Sequence, residues 1–185
     1  MKLTKHEILT IPNLMSLIRL AMIPVAVLLY INGEKNWTAV VLLLSGLTDA
    51  ADGYIARHWN QISDVGKALD PVADKATQAA MLLCLTREYP AMMLPFILLV
   101  LKETVAAVSG IVVIRRTGRV PGAVWHGKVT TMMLYGMMII HMLWEDIAGW
   151  LSNTLNIGCV VMMMISLVLY TQRNIALIRS MPRDK

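Results

Sequence analysis

Long apolar runs constrain this chain more than any other feature of its sequence. Of 185 residues, 57% are hydrophobic and only 16% are charged, whereas a soluble domain carries about a quarter charged residues. The apolar residues come in blocks of roughly 20, the length that crosses a bilayer as a helix. We therefore expect an all-α integral membrane protein with a single domain over residues 1–185.

Six apolar runs are candidates for spanning helices. Short polar connections, such as the one at residues 32–36, separate several of them. The expected bounds are about Leu14–Ile31, Trp37–Arg57, Gly66–Thr86, Ala91–Ile114, Lys128–Trp144 and Ile147–Tyr170.

The positions of lysine and arginine predict the orientation. If the N-terminus is cytoplasmic, then of 17 such residues only Lys35 and Arg87 lie on the outer side, with Lys102 inside a span. The positive-inside rule therefore places both termini in the cytoplasm and predicts a multi-pass protein of the plasma membrane. Topology and attraction to anionic lipid heads account for the net charge of +5, so no nucleic-acid partner is expected.

Four aspartates lie at the cytoplasmic ends of the second and third expected spans. Asp49 and Asp52 are three residues apart, and Asp70 and Asp74 are four apart, so each pair shares one helix face. Carboxylates so close to a bilayer core are costly and usually mark function. Their oxygens suit Mg²⁺ or Mn²⁺, and two such ions about 4 Å apart suit phosphoryl transfer. We expect a metal site here, facing the cytoplasm, rather than solvated helix ends.

Small residues and one arginine accompany the aspartates. Gly53, Ala56 and Gly66 leave room for a flat base or a diphosphate to approach the backbone. Arg57 follows at the end of the second span, where a guanidinium can bind phosphate oxygens with two hydrogen bonds. Together with the aspartates, these residues predict a site for a nucleotide diphosphate.

The whole pattern resembles a known signature. The spacing D-x2-D-G-x2-A-R-x8-G-x3-D-x3-D, met here at all eight fixed positions, is similar to that of the CDP-alcohol phosphotransferase family. The stretches "IPNLMSLIRLAMIP" and "WHGKVTT" resemble segments of members whose acceptor is glycerol 3-phosphate. The resemblance extends over the whole chain.

The resemblance implies a reaction and its residues. Two divalent ions, Mg²⁺ or Mn²⁺, would be bound by Asp49, Asp52 and Asp70. Asp74 would contact one ion and act as general base on the acceptor hydroxyl. The donor would be CDP-diacylglycerol, the products phosphatidylglycerophosphate and CMP, and the assembly a homodimer. Residues around the CDP group would be Pro12, Asn13, Gly53, Arg57 and Ser63.

An acceptor that carries a phosphate needs further cations on the cytoplasmic side. The candidates from the sequence are Arg115, Arg119, Lys128 and Arg173. Two positions depart from the pattern of the glycerol 3-phosphate enzymes. Lys102 precedes Glu103 where an arginine is usual, and Thr130 stands where a lysine is usual.

These departures leave other acceptors open. One such acceptor is phosphatidylglycerol, which is used in cardiolipin synthesis. The other is inositol phosphate, which is used in the synthesis of phosphatidylinositol phosphate. From other classes, a divalent-metal transporter and a non-catalytic membrane scaffold remain as alternatives. A transporter site is typical of the membrane midplane and of repeated halves, whereas the acidic residues lie near one end of their spans and no repeat is visible.

Overall fold

The computed structural model describes residues 11–58, 64–117 and 124–179, and within them every side chain except those of residues 11–12, 49–58, 64–69 and 117. Helices make up nearly all of this part of the chain, so the expected all-α class is confirmed there. They are α1 (Ile11–Ile31), α2 (Lys35–His58), α3 (Asp64–Leu85), α4 (Met93–Thr117), α5 (Trp125–Leu143) and α6 (Gly149–Arg179), with a 3₁₀ turn at Pro90–Met92 before α4.

The helix bounds lie within a few residues of the expected ones, except at the end of α6. This helix continues beyond the expected end at Tyr170 as far as Arg179. The residues after Tyr170 are more polar, which ends the hydropathy signal. They include no glycine or proline before Pro182, so nothing in their sequence interrupts the helical hydrogen bonds.

Three helical stretches are long and apolar enough to cross a membrane. They are Asn13–Ile31, Pro90–Arg116 and Gly149–Arg179, with mean hydropathies of 2.2, 2.2 and 1.9. Large apolar side chains are exposed along all three, for example Leu28 at 60% and Ile157 at 62%. So much exposed apolar surface is stable where lipid covers it, and the protein is therefore a membrane protein.

The other three helices do not reach the same hydropathy within the described residues. Acidic residues interrupt α2 and α3, and His126, Gly127 and Lys128 lie in the first turn of α5. The six-span count and the cytoplasmic placement of both termini consequently stay predictions.

The first of two compact units comprises residues 1–88 and 138–146. In it, α1 packs against both α2 and α3, and α2 also contacts α3. Ala26, Leu42, Ala73 and Met81 are among the apolar side chains that fill its core, each 2% exposed or less. Small residues such as alanine allow helices to approach closely.

A polar cluster connects the end of α1 and the start of α2 to Glu88, which follows α3. Tyr30 Oη donates a hydrogen bond to Glu88 Oε1 at 3.0 Å, and Lys35 Nζ donates to Glu88 Oε2 at 2.7 Å. The pKa of Glu88 is lower than usual, because the hydrogen bond from Lys35 lowers it by more than partial burial raises it. Nearby, Gly33 has a φ of +82°, a left-handed conformation that glycine adopts without steric cost and that turns the chain from α1 into α2.

The second unit comprises residues 89–137 and 147–185, and in it α4 packs along α6. Two asparagines of α6 make hydrogen bonds here, one to the 3₁₀ turn that precedes α4 and one to α4 itself. Asn156 Nδ2 donates to the carbonyl oxygen of Ala91 at 2.9 Å, and Asn174 Nδ2 donates to Ser109 Oγ at 2.7 Å. The expectation of a single domain over residues 1–185 stays a prediction.

Candidate active site

A polar stripe runs along the first turns of α1. Asn13, Ser16 and Arg19 are each 2% exposed or less, and their spacing of three places them on one face of the helix. The face contacts the start of α3, because Ser16 Oγ donates a hydrogen bond to Asp70 Oδ1. Burial of three polar side chains in an otherwise apolar helix indicates a functional interior.

Asp70 and Asp74 lie one turn apart near the start of α3. Asp70 is half-buried, and Asp74 is only 9% exposed. The Nε2 atom of Gln78 lies 3.0 Å from both Oδ1 and Oδ2 of Asp74. Lys75 Nζ lies 3.0 Å from Oδ2 of the same carboxylate. The structure therefore places both predicted acids of α3 inward, each with hydrogen-bond donors.

The other half of the predicted motif is on α2. Residues 49–57, which include Asp49, Asp52 and Arg57, are helical and lie in the last turns of α2, and α2 contacts α3. The convergence of all four carboxylates stays a prediction, because several predicted site side chains lie outside the described part of the structure. These are the side chains of Pro12, Asp49, Asp52, Gly53, Ala56, Arg57 and Gly66, while Ser63 and Arg119 lie outside it entirely.

The donor set at the start of α3 fits a hard divalent cation. Asp70 and Asp74 supply carboxylate oxygens, which Mg²⁺ and Mn²⁺ prefer to nitrogen or sulfur. Among the described side chains, no group of three or more histidines, cysteines or acids comes together. Burial of the Asp74 carboxylate is costly, and a bound cation would offset that cost.

A cluster of basic side chains occupies the second unit. His126 is 4% exposed, and its Nδ1 lies 2.9 Å from Ser166 Oγ. His126 precedes the predicted fifth span, and its pKa is lowered first by burial and then by the positive charges of Arg173 and Lys102. Both cations therefore lie close enough to act on the same imidazole.

Contacts hold these two cations in place. The Arg173 guanidinium lies 5.0 Å from the centre of the Tyr170 ring, and that ring meets His126 edge-on at 5.5 Å. Lys102 is 6% exposed and pairs with Glu103. A guanidinium over an aromatic face is attracted by the ring quadrupole, so the Tyr170 ring holds Arg173 in place.

The other predicted acceptor residues that the structure describes are more exposed than Lys102 and Arg173. Arg115, near the end of α4, and Lys128, in the first turn of α5, are both exposed. Sequence reasoning did not assign Ser16, Gln78 or Lys102 to the site. The regular spacing of polar residues in α1 was a usable signal for Ser16, and the departure from arginine was one for Lys102. For Gln78, a polar residue one turn after an acid is too common to stand out.

Comparisons with known proteins test the family resemblance that the sequence suggested. The profile of the CDP-alcohol phosphatidyltransferase family matches residues 9–171. A cardiolipin synthase (CMP-forming) from Streptomyces coelicolor is 37% identical over 156 residues, 80% of this chain and 71% of that protein. A CDP-diacylglycerol–glycerol-3-phosphate 3-phosphatidyltransferase from Aquifex aeolicus is 32% identical over 178 residues, 92% of this chain and 98% of that protein.

A Rickettsia bellii protein of the same name as the Aquifex one is 36% identical over 96 residues, 50% of this chain and 53% of that protein. The family profile spans most of the chain and includes every residue of the acidic motif, so the resemblance seen in the sequence is confirmed. The chain belongs to the CDP-alcohol phosphatidyltransferase family.

Proposed function

We propose that the protein transfers a phosphatidyl group from CDP-diacylglycerol to the hydroxyl of an alcohol and releases CMP. The observation that carries this proposal is the pair of inward-facing acids on α3, with Asp74 buried and both of its oxygens within hydrogen-bond distance of Gln78. A buried carboxylate held in one orientation is suited to accept a proton from a substrate hydroxyl.

Asp74 performs the proton transfer in this proposal. It takes the proton of the acceptor hydroxyl, whose oxygen forms a bond to the phosphorus that carries diacylglycerol. The bond from that phosphorus to the oxygen of CMP breaks, and CMP leaves with the electron pair. Asp49, Asp52 and Asp70 would hold two Mg²⁺ or Mn²⁺ ions, and the charge of these ions would stabilise the negative charge that develops on the leaving phosphate.

Glycerol 3-phosphate is the acceptor that the cation cluster supports best. Its phosphate dianion requires positive charge, and Lys102 and Arg173 both lie close to His126 in the second unit. Arg115, Arg119 and Lys128 would add to this charge from the cytoplasmic side. The Aquifex relative, aligned over 98% of its own length, carries glycerol 3-phosphate in its name.

Phosphatidylglycerol is the second candidate acceptor. The observation that favours it is the 37% identity with the Streptomyces cardiolipin synthase. Phosphatidylglycerol has a phosphodiester with one negative charge, so it needs fewer cations and more apolar surface. The donor, the metal ions and the acids of α3 would serve both acceptors in the same way.

In the deciding experiment, purified protein is incubated with CDP-diacylglycerol that carries a labelled phosphatidyl group, and with one acceptor at a time. We expect CMP release with glycerol 3-phosphate and Mg²⁺, and a labelled product that carries a phosphomonoester. Labelled cardiolipin formed only with phosphatidylglycerol would establish the second candidate instead. Absence of CMP release with every acceptor would contradict the transferase proposal and leave the transporter or scaffold alternatives.

We also propose a setting for the reaction. The distribution of lysine and arginine supports a multi-pass protein in the plasma membrane with both termini and the active site on the cytoplasmic side. The resemblance to the family supports a homodimer. Protease accessibility of terminal tags in sealed vesicles tests the orientation, and the mass of the detergent-free particle in nanodiscs tests the assembly.

A further inference from the structure

We propose that two buried neutral side chains, Ser16 and Gln78, position the two acids of α3 for different tasks. Ser16 orients Asp70 for cation binding, and Gln78 orients Asp74 for proton transfer. Both are positioning residues, since neither touches substrate in this scheme. The inference rests on the proposed function and extends it to residues outside the acidic motif.

Ser16 is suited to fix Asp70. It comes from another helix, is 0% exposed, and its hydroxyl donates to Oδ1 of Asp70. A donor on one carboxylate oxygen restricts rotation of the group and leaves Oδ2 for a cation. Residues that hydrogen-bond to a metal-binding side chain orient it, and their loss typically lowers metal affinity by 10- to 100-fold.

Gln78 is suited to fix Asp74 through both of its oxygens. Its Nε2 lies 3.0 Å from each, and the side chain is 0% exposed. The amide nitrogen must face the carboxylate, because the amide oxygen can only accept hydrogen bonds. Contact at both oxygens holds the plane of the carboxylate, which is the property that a directed proton transfer needs.

The amide oxygen of Gln78 argues against a role in packing alone. Gln78 Oε1 is buried and has no hydrogen-bond partner among the described residues. An unpaired buried acceptor destabilises a fold, and a methionine or leucine would fill the same volume without that cost. The hydrogen bonds to Asp74 are the compensating interaction that the structure offers.

The first test measures Mn²⁺ binding by electron paramagnetic resonance on purified protein, with no turnover required. Threonine and valine have the same shape, so Ser16→Thr and Ser16→Val differ in the hydroxyl alone. Ser45→Ala is the matched control, because Ser45 is 1% exposed and its Oγ has no partner among the described residues. We expect Ser16→Val to weaken Mn²⁺ binding about tenfold, with Ser16→Thr and Ser45→Ala close to the parent.

Equal Mn²⁺ affinity in Ser16→Val and Ser16→Thr would overturn the role of Ser16 while leaving the proposed function intact. If the parent itself binds no Mn²⁺, the metal-dependent reaction fails and this inference fails with it. The two failures are therefore distinguishable in one series of titrations.

The second test separates kcat from KM in Gln78→Met. We expect kcat to fall by at least tenfold, while the KM for CDP-diacylglycerol stays within about twofold, since orientation of the base affects the transition state and not the bound donor. Thermal unfolding of the same variant supplies the second readout. A packing role predicts an unchanged kcat and an equal or higher melting temperature, because methionine fills the same volume and removes the unpaired Oε1, and that result would overturn the positioning role of Gln78.

Discussion

The residue proposed for proton transfer lies in the first unit and is an acid, whereas cations proposed to bind phosphate lie in the second unit. In the first unit, Asp74 is 9% exposed and its carboxylate contacts the amide nitrogen of Gln78. In the second unit, Lys102 is 6% exposed, and its charge and that of Arg173 both lower the pKa of His126. Acids arranged in this way suit cations and protons, whereas clustered cations suit phosphate. The difference suggests that activation of the reaction and capture of the acceptor depend on different residues.

Loss of an acid in the first unit should therefore have the largest effect. We expect Asp70→Asn to abolish CMP release at every acceptor concentration, because an amide binds Mg²⁺ far more weakly than a carboxylate does. Removal of metal by excess chelator should have the same effect on the parent. Circular dichroism on the variant controls for folding. Substantial turnover in excess chelator would contradict the metal requirement.

Asp74→Asn should separate binding from chemistry within the same unit. Amide and carboxyl have nearly the same shape, so the fold and the binding of CDP-diacylglycerol should persist. The amide cannot accept the hydroxyl proton, and we expect kcat to fall by about 10²- to 10⁴-fold. The comparison to make is donor affinity against turnover in the same preparation, and near-normal turnover would remove Asp74 from the role of base.

Loss of a cation should change acceptor affinity instead. A hydrogen bond to a charged group contributes about 1.5–3 kcal/mol, so Lys128→Ala or Arg119→Ala should raise the KM for glycerol 3-phosphate roughly ten- to a hundredfold. Arg173→Ala should do the same. Affinity for CDP-diacylglycerol should change little. Lys35→Ala, on the predicted outer side, is the control, and parental KM values in all three test variants would place the acceptor elsewhere.

The smallest effect should come from Glu88, an acid on the predicted outer side and outside the candidate site. Glu88 accepts hydrogen bonds from Lys35 and Tyr30, and exposed pairs of this kind contribute about 0.2–1 kcal/mol. Glu88→Gln should therefore lower the melting temperature slightly and leave kcat unchanged. A large loss of kcat in this variant would contradict the separation between structural and catalytic acids.

The effect of Glu88→Gln on the melting temperature should depend on pH. Because the pKa of Glu88 is lowered from its ordinary value of 4.5, the carboxylate stabilises the fold above that value and loses this contribution as the pH falls through the folded pKa. Melting temperatures of parent and variant should thus differ at neutral pH and converge in acid.

The helices were predictable from the sequence because each depends on a local run of apolar residues. The motif was predictable because its spacing alone places two acids on a helix face, as the structure shows for Asp70 and Asp74. The contact between Ser16 and Asp70 was not, since it joins residues 54 positions apart and depends on how two helices rotate against each other. Burial of Lys102 could not be predicted either, because a lysine within a span can also extend its ammonium to the interface.

The length of α6 has a consequence for how the lipid arrives. Its 31 residues span about 46 Å, compared with about 30 Å for the hydrocarbon core of a bilayer. In the proposed topology, with the C-terminus cytoplasmic, this excess length would extend Arg173 and Arg179 to the depth of the phosphate headgroups. Chemistry at that depth lets the donor keep both acyl chains in the bilayer, so substrate and product exchange by two-dimensional diffusion. The rate should then follow the mole fraction of donor in the membrane rather than its bulk concentration.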